Sequence, residues 1–374
     1  MNRRPSQSRS GFDSFSPQHT AHFKAAQPGD EFFESRPRAP LGRRVLVFLL
    51  LLLLAALAAN LAINQFVQVA RVTVPIRKMD SALEGYTLLH ISDLKGATYG
   101  ANQSRIRFAL QKEDFDAVVL TGDMVSSRGN AQPLYTLIEM LHELKPGVPI
   151  YMIPGDKDPL PASMSYAASG SPFAPWVLGA RRRGAQLLSA PVRIERDGHA
   201  LWLTTSALLS LDMDTMQEQF ERQYLDALSS GDENAIELTA YNLQWLTETR
   251  DARAQMTDED VYIALTHVPP ADEELEGAYA GSLRGRLHLV LCGHYQGGLV
   301  RLPFVGALFI PSQNLPFYGI LPGKNTYYGL TKKGGTYLYV SPGLGNNDGL
   351  YPLPFFRLFN PPTVSLISLT TSSL

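Results

Sequence analysis

The longest apolar run of the chain predicts a helix that crosses a membrane. From Val45 to Ile63 the sequence has no charged side chain, and it includes six consecutive leucines. A helix of about 20 apolar residues spans the hydrocarbon core of a bilayer. Residues 45–64 are therefore predicted to form a transmembrane helix that contacts the lipid bilayer through residues 45–63. Two alternatives stay open: a buried core helix, and a cleavable signal peptide with small residues at Ala56-Leu57-Ala58.

Basic residues on the two sides of this run predict its orientation. The nearest ones are, before the run, Arg36, Arg38, Arg43 and Arg44 and, after it, Arg71, Arg77 and Lys78. Positive charge close to a span collects on the cytoplasmic side. We therefore expect a single-pass protein of the cell membrane, with a cytoplasmic N-terminus and an extracytoplasmic C-terminal domain.

The segment before the run, residues 1–44, has neither a helical nor a strand period. It is rich in Ser, Pro, Gln and Arg, and it cannot bury enough apolar surface to offset the entropy lost on ordering. We predict a disordered basic tail.

Beyond the run, short apolar segments alternate with helical patterns. Residues 71–76 (RVTVPI) alternate as a strand does. The other predicted strands are Tyr86–Ile91, Ala117–Leu120, Ile150–Ile153, Ala200–Thr205, Val261–Leu265, His288–Leu291, Tyr337–Val340 and Val364–Leu369. The predicted helices are Gln103–Lys112, Pro133–Leu144, Asp214–Leu228 and Ala235–Ala254, of which the last two form a helical insertion at about 213–255. Strands that alternate with helices predict an α/β domain over residues 70–374, with a long surface loop at Pro303–Gly335.

Composition narrows the chemistry. The chain has 33 Lys and Arg against 35 Asp and Glu, a net charge of −2, which excludes a nucleic-acid binder that acts by bulk basicity, so we expect no nucleic-acid partner. The single cysteine, Cys292, excludes an intrachain disulfide and a cysteine-based zinc cluster. Any metal site would have to use His, Asp, Glu or amide oxygens.

Five of the predicted strands are followed by a polar segment with an acid or a histidine beside Gly or Pro. These segments are ISDLKG (91–96), LTGDMVSS (120–127), MIPGDKD (152–158), LTHVPP (265–270) and LCGHYQGG (291–298). Each one alone is typical of a turn or a helix cap. Active sites of open α/β sheets lie at the carboxyl ends of strands, and five such segments in one chain predict a shared site.

The order of these segments resembles the motifs of the calcineurin-like metallophosphoesterases, and in particular their membrane-anchored bacterial members. The family pattern is Asp-x-(His)-Gly, Gly-Asp, Gly-Asn-(His), a lone His and Gly-His-x-(His). The resemblance extends from about Ala70 to the C-terminus and includes SPGLG (341–345) and RLFNPPTVSLISL (357–369). It implies a four-layer fold, two central β-sheets flanked by helices, with two divalent metals bridged by an aspartate. In such a site two cations clamp the phosphoryl oxygens and activate water, and a histidine protonates the leaving group.

The resemblance assigns the first cation to Asp93, position 95, Asp123 and position 296. The two aspartates fit, but Lys95 and Gln296 stand where the family has histidines. A charged ammonium cannot be a metal ligand, and Gln296 offers only a neutral amide. We therefore expect the first cation to be missing, with the Lys95 ammonium partly in its place, paired with Asp93 and Asp123.

The resemblance assigns the second cation to Asp123, position 156, His267 and His294. Asp156 replaces the asparagine of the family and adds negative charge. We expect one divalent metal here (Mn, Fe or Zn) or none, rather than a complete two-metal centre. Lys157 replaces the catalytic histidine, and a lysine with its ordinary pKa of about 10.4 is a poor proton shuttle near neutral pH.

These replacements predict impaired catalysis. If the protein is an enzyme, it is a metal-dependent phosphoric ester hydrolase that uses a single metal with Lys95 and Lys157 as electrostatic clamps. Arg105 and Gln296 are candidates for contact with the substrate, which would be a phosphorylated small molecule or lipid. The alternative is a catalytically inactive pseudophosphoesterase that binds a ligand or a protein partner.

Overall fold

The computed structural model describes residues 40–168, 170–275, 287–298, 300–302, 305–310, 327–345 and 357–371. The chain divides into two units, Met1–Leu54 and Ala55–Leu374. Most of the predicted tail, residues 1–39, lies outside the described residues.

The apolar run forms helix α1, Leu41–Ile63, which begins four residues before the predicted start of the span. It is the one helix among the described residues that is long and apolar enough to cross a membrane. Most of its leucines are exposed, for example Leu49 and Leu52 at 53% and 57%, which argues against a buried core helix. Asn60, near its end, is an exception with 1% exposure.

The remaining elements belong to the second unit. The helices are α2 Ser104–Leu110, α3 Gln132–Leu144, α4 Met164–Ala167, α5 Pro175–Arg181, α6 Ser206–Ser210, α7 Met213–Ser230, α8 Glu233–Ala254 and α9 Asp272–Leu275. The strands are β1 Gln68–Pro75, β2 Thr87–Ile91, β3 Ala117–Thr121, β4 Ile150–Ile153, β5 Ala185–Leu187, β6 Val192–Arg196, β7 His199–Thr204, β8 Val261–Leu265, β9 Leu289–Cys292, β10 Val300–Leu302, β11 Gly306–Phe309, β12 Gly329–Lys333, β13 Thr336–Val340 and β14 Thr363–Thr370. The segment predicted as a loop at 303–335 thus contains the strands β11 and β12, because half-exposed strands of four or five residues give a weak sequence pattern.

Two six-stranded sheets form the centre of this unit. The first has the order β1-β14-β2-β3-β4-β5, and β2, β3, β4 and β5 run parallel. The second has the order β12-β13-β9-β8-β7-β6, with β13, β9, β8 and β7 parallel. Parallel neighbours bring their carboxyl ends to the same edge of a sheet, and the five polar segments leave from these ends.

The sheets pack face to face and carry helices on their outer faces. Alternation along β3 illustrates the packing: Ala117 and Val119 contact the core between the sheets, and Val118 and Leu120 contact the core beneath α2, α3 and α5. In β8, Ile263 faces the inner core, whereas Tyr262 belongs to a third cluster with Met256 next to α8. Because the strands are buried on both faces, they read as continuous apolar runs. The predicted four-layer α/β fold, with two sheets flanked by helices, is confirmed.

Candidate metal centre

The five polar segments meet at one place. Asp93, Asp123 and Asp156 follow β2, β3 and β4 of the first sheet, and His267 and His294 follow β8 and β9 of the second. Two groups of these side chains have ligand atoms close enough to hold an ion, Asp156 with His267 and His294, and Asp93 with Asp123 and His267. The shared site expected from the sequence is therefore present in the fold, while its occupancy by metal stays a prediction.

The atoms of the second cation position have the spacing of metal ligands. The Nε2 atom of His267 lies 3.0 Å from Asp156 Oδ1 and 3.4 Å from Asp123 Oδ2. The Nδ1 atom of His294 lies 3.4 Å from both Asp156 Oδ1 and His267 Nε2. Four ligand atoms at about 2.0–2.1 Å from a tetrahedral ion are about 3.3 Å from one another. Asp156, His267 and His294 therefore fit one divalent ion, and Asp123 adjoins them through its contact with His267.

The hydrogen bonds of His267 also suit a ligand. Its Nδ1 lies 2.8 Å from the carbonyl oxygen of Thr121, and a donated bond there leaves the lone pair of neutral imidazole on Nε2, which faces Asp123, Asp156 and His294. Metal-binding histidines are commonly fixed in this way. Several acceptor atoms thus face one another, and only a shared cation, either a proton or a metal ion, satisfies them together.

Electrostatics reflect this excess of acceptors. Burial favours neutral His267, but the hydrogen bonds with Asp123 and Asp156 outweigh it and raise the pKa of His267 to about 11. Burial likewise works to raise the pKa of Asp123, yet the bond from His267 and the charge of Lys95 lower it to about 2. The bonds from His267 and His294 hold the pKa of Asp156 well below its usual value, against burial.

At the first cation position a lysine side chain lies between two carboxylates. Lys95 Nζ is 3.0 Å from Asp123 Oδ2 and 3.9 Å from Asp93 Oδ1. All three side chains are buried, with 7%, 1% and 0% exposure. Gln296 is also buried, and its Oε1 makes no hydrogen bond among the described residues.

The other two predicted residues lie at the border of the cluster or beyond it. Lys157 is about half exposed, and its Nζ lies 3.1 Å from Asp156 Oδ2, while its backbone N–H donates to Asp123 Oδ1. Arg105 donates to the side chain of Gln65. It lines a 240 Å³ cavity beside Asn60, and none of the candidate metal ligands lines that cavity. Contact of Arg105 or Gln296 with a substrate stays a prediction.

The loops that carry the cluster have unusual backbone conformations. Asp93, Lys95, Asp123, His294 and Gln296 all have left-handed φ values, between 50° and 69°. This region costs roughly 1–2 kcal/mol for a residue with a Cβ atom. Gly122 has φ 87°, and a Cβ atom there would lie 2.9 Å from Nδ1 of His267. The loops are therefore strained at these residues, and this backbone conformation directs their side chains toward the cluster.

Sequence reasoning missed the residues that support these loops. Ser92 Oγ donates to Asp93 Oδ2 over 2.7 Å. Arg357, which is 1% exposed, donates to backbone carbonyls that include those of Gln296, Gly343 and Gly345. The sequence offered one signal for this role, an arginine in the apolar segment that closes the domain. It did not indicate the acceptors of that arginine, because they are far away in the sequence.

A further histidine, His90, lies beneath the site and differs from His267 in its pKa. His90 is fully buried on β2, and its Nε2 lies 2.7 Å from Thr121 Oγ1. Burial lowers its pKa to about 3. It is therefore a neutral packing residue rather than one of the groups that face the carboxylates.

Comparison with known proteins identifies the family. The sequence model of the calcineurin-like phosphoesterases matches residues 86–296, which is more than half of the chain. The chain belongs to the calcineurin-like phosphoesterase family, which implies the use of divalent metal. A search among curated proteins gives no match. Among solved structures, phosphopantetheinyl hydrolase from Mycobacterium tuberculosis is similar, with 12% identity, 70% of this chain and 91% of that chain covered, and a TM-score of 0.34.

Proposed function

We propose that this protein is a membrane-anchored phosphoesterase that hydrolyses phosphate esters slowly with one divalent ion. Asp123, Asp156, His267 and His294 hold the ion at the second position, and the ammonium of Lys95 takes the place of the first cation. The observation that carries this proposal is the position of Lys95, whose Nζ lies 3.0 Å from the carboxylate of Asp123. That carboxylate is the one that bridges two cations in the family pattern.

The charge balance supports this assignment. Removal of two carboxylates from water is costly unless a positive charge lies next to them. Lys95 supplies that charge to Asp93 and Asp123, so the first position needs no metal to be stable. Asp156 pairs with the half-exposed ammonium of Lys157 through Oδ2, and its Oδ1 faces His267 and His294.

The chemistry follows from what each group can do. A divalent ion at the second position would act as a Lewis acid on a phosphoryl oxygen. Asp156 and Lys157 are the most exposed members of the cluster, with side chains 24% and 47% exposed, so a phosphate would enter from their side. Lys157 would then bind a phosphoryl oxygen as a point charge. It does not replace an imidazole as a proton donor, and turnover should be slower than in a complete two-metal site.

The anchor in this proposal is α1, with its N-terminus in the cytoplasm and the domain outside. Its 23 residues suffice for a span. The substrate class is a phosphorylated small molecule or a phosphorylated lipid.

Metal analysis and ligand restoration test the proposal. The full chain, purified in detergent, should contain one metal per chain by elemental analysis and should cleave a generic aryl phosphodiester in a chelator-sensitive way. The double variant Lys95→His, Gln296→His restores the ligands of the family pattern, and we expect two metals per chain and faster turnover. Asp226→Asn, on the surface of α7, is the control and should change neither value.

Two results would contradict the proposal. A wild-type chain that already binds two metals would show that Lys95 does not replace a cation. A folded chain that binds no metal and shows no turnover, before or after metal is added, would instead support the pseudophosphoesterase alternative.

A further inference from the structure

A second surface of the domain lies directly after α1. It is a 600 Å³ groove formed by the segment 65–71 and by α2, with Phe66, Val67, Val69 and Phe108 among its lining residues. Phe66 and Phe108 are 65% and 70% exposed. Two phenylalanines with this exposure in one groove are a feature of a contact surface rather than of a solvated one.

The end of α1 is hydrogen-bonded to the domain directly before the segment that forms this groove. Asn60 donates to the carbonyl of Arg357 over 2.8 Å and accepts from the backbone N–H of Phe359 over 2.7 Å. Asn64 donates to the same carbonyl of Arg357. The last turn of the helix is therefore hydrogen-bonded to residues 357–359 of the same unit.

The groove also lies at the level where the apolar helix ends. The backbone N–H of Phe66 bonds the carbonyl of Ile63, the last residue of α1, so Phe66 is about one helical turn, roughly 5 Å, beyond the apolar segment. The headgroup layer on each side of a bilayer is about 5–8 Å thick. Phe66 would thus lie at the depth of the lipid headgroups.

The charge in this groove also fits contact with lipid headgroups. Arg105 lines the groove, and its guanidinium donates to the neutral amide of Gln65. No ion pair among the described residues includes Arg105, in contrast to Arg71 and Arg107, which pair with Glu113 and Glu143. An arginine beside exposed aromatic rings is the combination that binds lipid phosphates while the rings enter the interface.

We propose that the groove of Phe66, Phe108 and Arg105 docks onto the surface of the bilayer and holds the domain against the membrane in one orientation. This inference rests on the proposed anchoring by α1. The catalytic loops would then face a fixed direction relative to the membrane, because Arg357 bonds both the end of α1 and the loop at Gln296.

Site-directed fluorescence on the full chain tests this docking. Single cysteines replace Phe108, Leu225 or Leu52, and each is labelled with an environment-sensitive fluorophore, since the native Cys292 is buried. Leu225 on α7 is a matched control because it is 62% exposed, and Leu52 reports the span. The chains are reconstituted in vesicles of phosphatidylcholine and phosphatidylglycerol, with or without nitroxide lipids.

We expect nitroxide lipids to quench the label at 108 at least half as strongly as the label at 52, and to leave the label at 225 almost unchanged. Quenching at 52 with none at 108 would overturn the docking while the anchor stands. No quenching at 52 would refute the anchor, and the docking with it. A label at 108 that is protected from aqueous iodide but insensitive to nitroxide lipids would assign the groove to a protein contact and overturn the proposal.

Discussion

The two cation positions of this site share Asp123 and differ in almost everything else. One side of Asp123 has a buried ammonium between two carboxylates, and the other side has ring nitrogens and carboxylate oxygens 3.0–3.4 Å apart. A lysine and a metal ion both neutralise buried acids, but only a cluster of acceptors leaves room for a ligand sphere. The comparison teaches that a site can lose metal ligands and still have its buried acids neutralised, because an ammonium group supplies the positive charge.

The largest effect should follow from a change in the residue that both positions share. Asp123→Asn removes the carboxylate that contacts Lys95 and His267, so we expect metal binding to fail and turnover to fall by roughly three powers of ten or more. Elemental analysis and the phosphodiester assay measure these losses. Asp226→Asn should behave as wild type. Retention of both metal and activity would remove Asp123 from the centre of the site.

A change on one side only should separate the two positions. His294→Gln removes a ring nitrogen 3.4 Å from Asp156 and should weaken metal binding by about 100-fold or more. Lys95→Met should leave the metal bound, because the described ion pairs of Lys95 are with Asp93 and Asp123, and Asp123 keeps its contact with His267. Competition with a chromogenic chelator gives both affinities. Equal losses of affinity in the two variants would contradict the division into an ammonium position and a metal position.

Lys95→Met should instead affect stability. It leaves Asp93 and Asp123 buried without their ammonium, and loss of one partner of a buried pair costs about 3–5 kcal/mol. Urea unfolding should show this decrease. The double variant Asp93→Asn, Lys95→Met removes one of the two unpaired charges and should recover part of the loss. A single variant as stable as wild type would mean that the ammonium does not compensate these acids.

The sequence predicted the fold and the ends of the strands that form the site, because both depend on local patterns. Ile150–Ile153 and Val261–Leu265 have the predicted bounds, since each is a purely apolar segment ended by polar residues. Short or half-exposed strands such as β5 and β6 were missed. Their three to five residues give little periodicity, and their pairing depends on neighbouring strands.

The supporting contacts of the site could not be read from the sequence in the same way. The bonds from Arg357 to Gln296 and Gly343 join residues 61 and 14 positions apart. The left-handed backbone at Asp93 and Asp123 is likewise a property of the closed loops. Residue types indicate which side chains can bind a metal, whereas their distances depend on tertiary contacts that no local pattern records.

Acid should lower the stability of the fold through His90, the buried histidine beneath the site. Burial holds His90 neutral with a pKa of about 3, so the unfolded chain, with an ordinary histidine pKa near 6.5, takes up the proton first. The stability that depends on neutral His90 is complete above pH 6.5 and is lost as the pH falls toward 3. At pH 5 the loss is about 2 kcal/mol. His90→Gln should show a flatter decline in unfolding free energy from pH 7 to 5, and an unchanged slope would contradict this.

The smallest effect on metal content and turnover should come from the hydroxyl that supports the ammonium side. Ser92 Oγ is buried and donates to Asp93 Oδ2, the oxygen that also accepts from the backbone N–H of His294. Ser92→Ala removes one bond to a charged acceptor, which costs about 1.5–3 kcal/mol, but it leaves the contact between Lys95 and Asp123 in place. We expect a loss of stability of this size in urea, a few-fold loss of turnover and unchanged metal content. Ser229→Ala on the exposed end of α7 is the control. Loss of metal from Ser92→Ala would show that the two positions are coupled through Asp93 and His294, and that the ammonium side helps to arrange the ligands of the other.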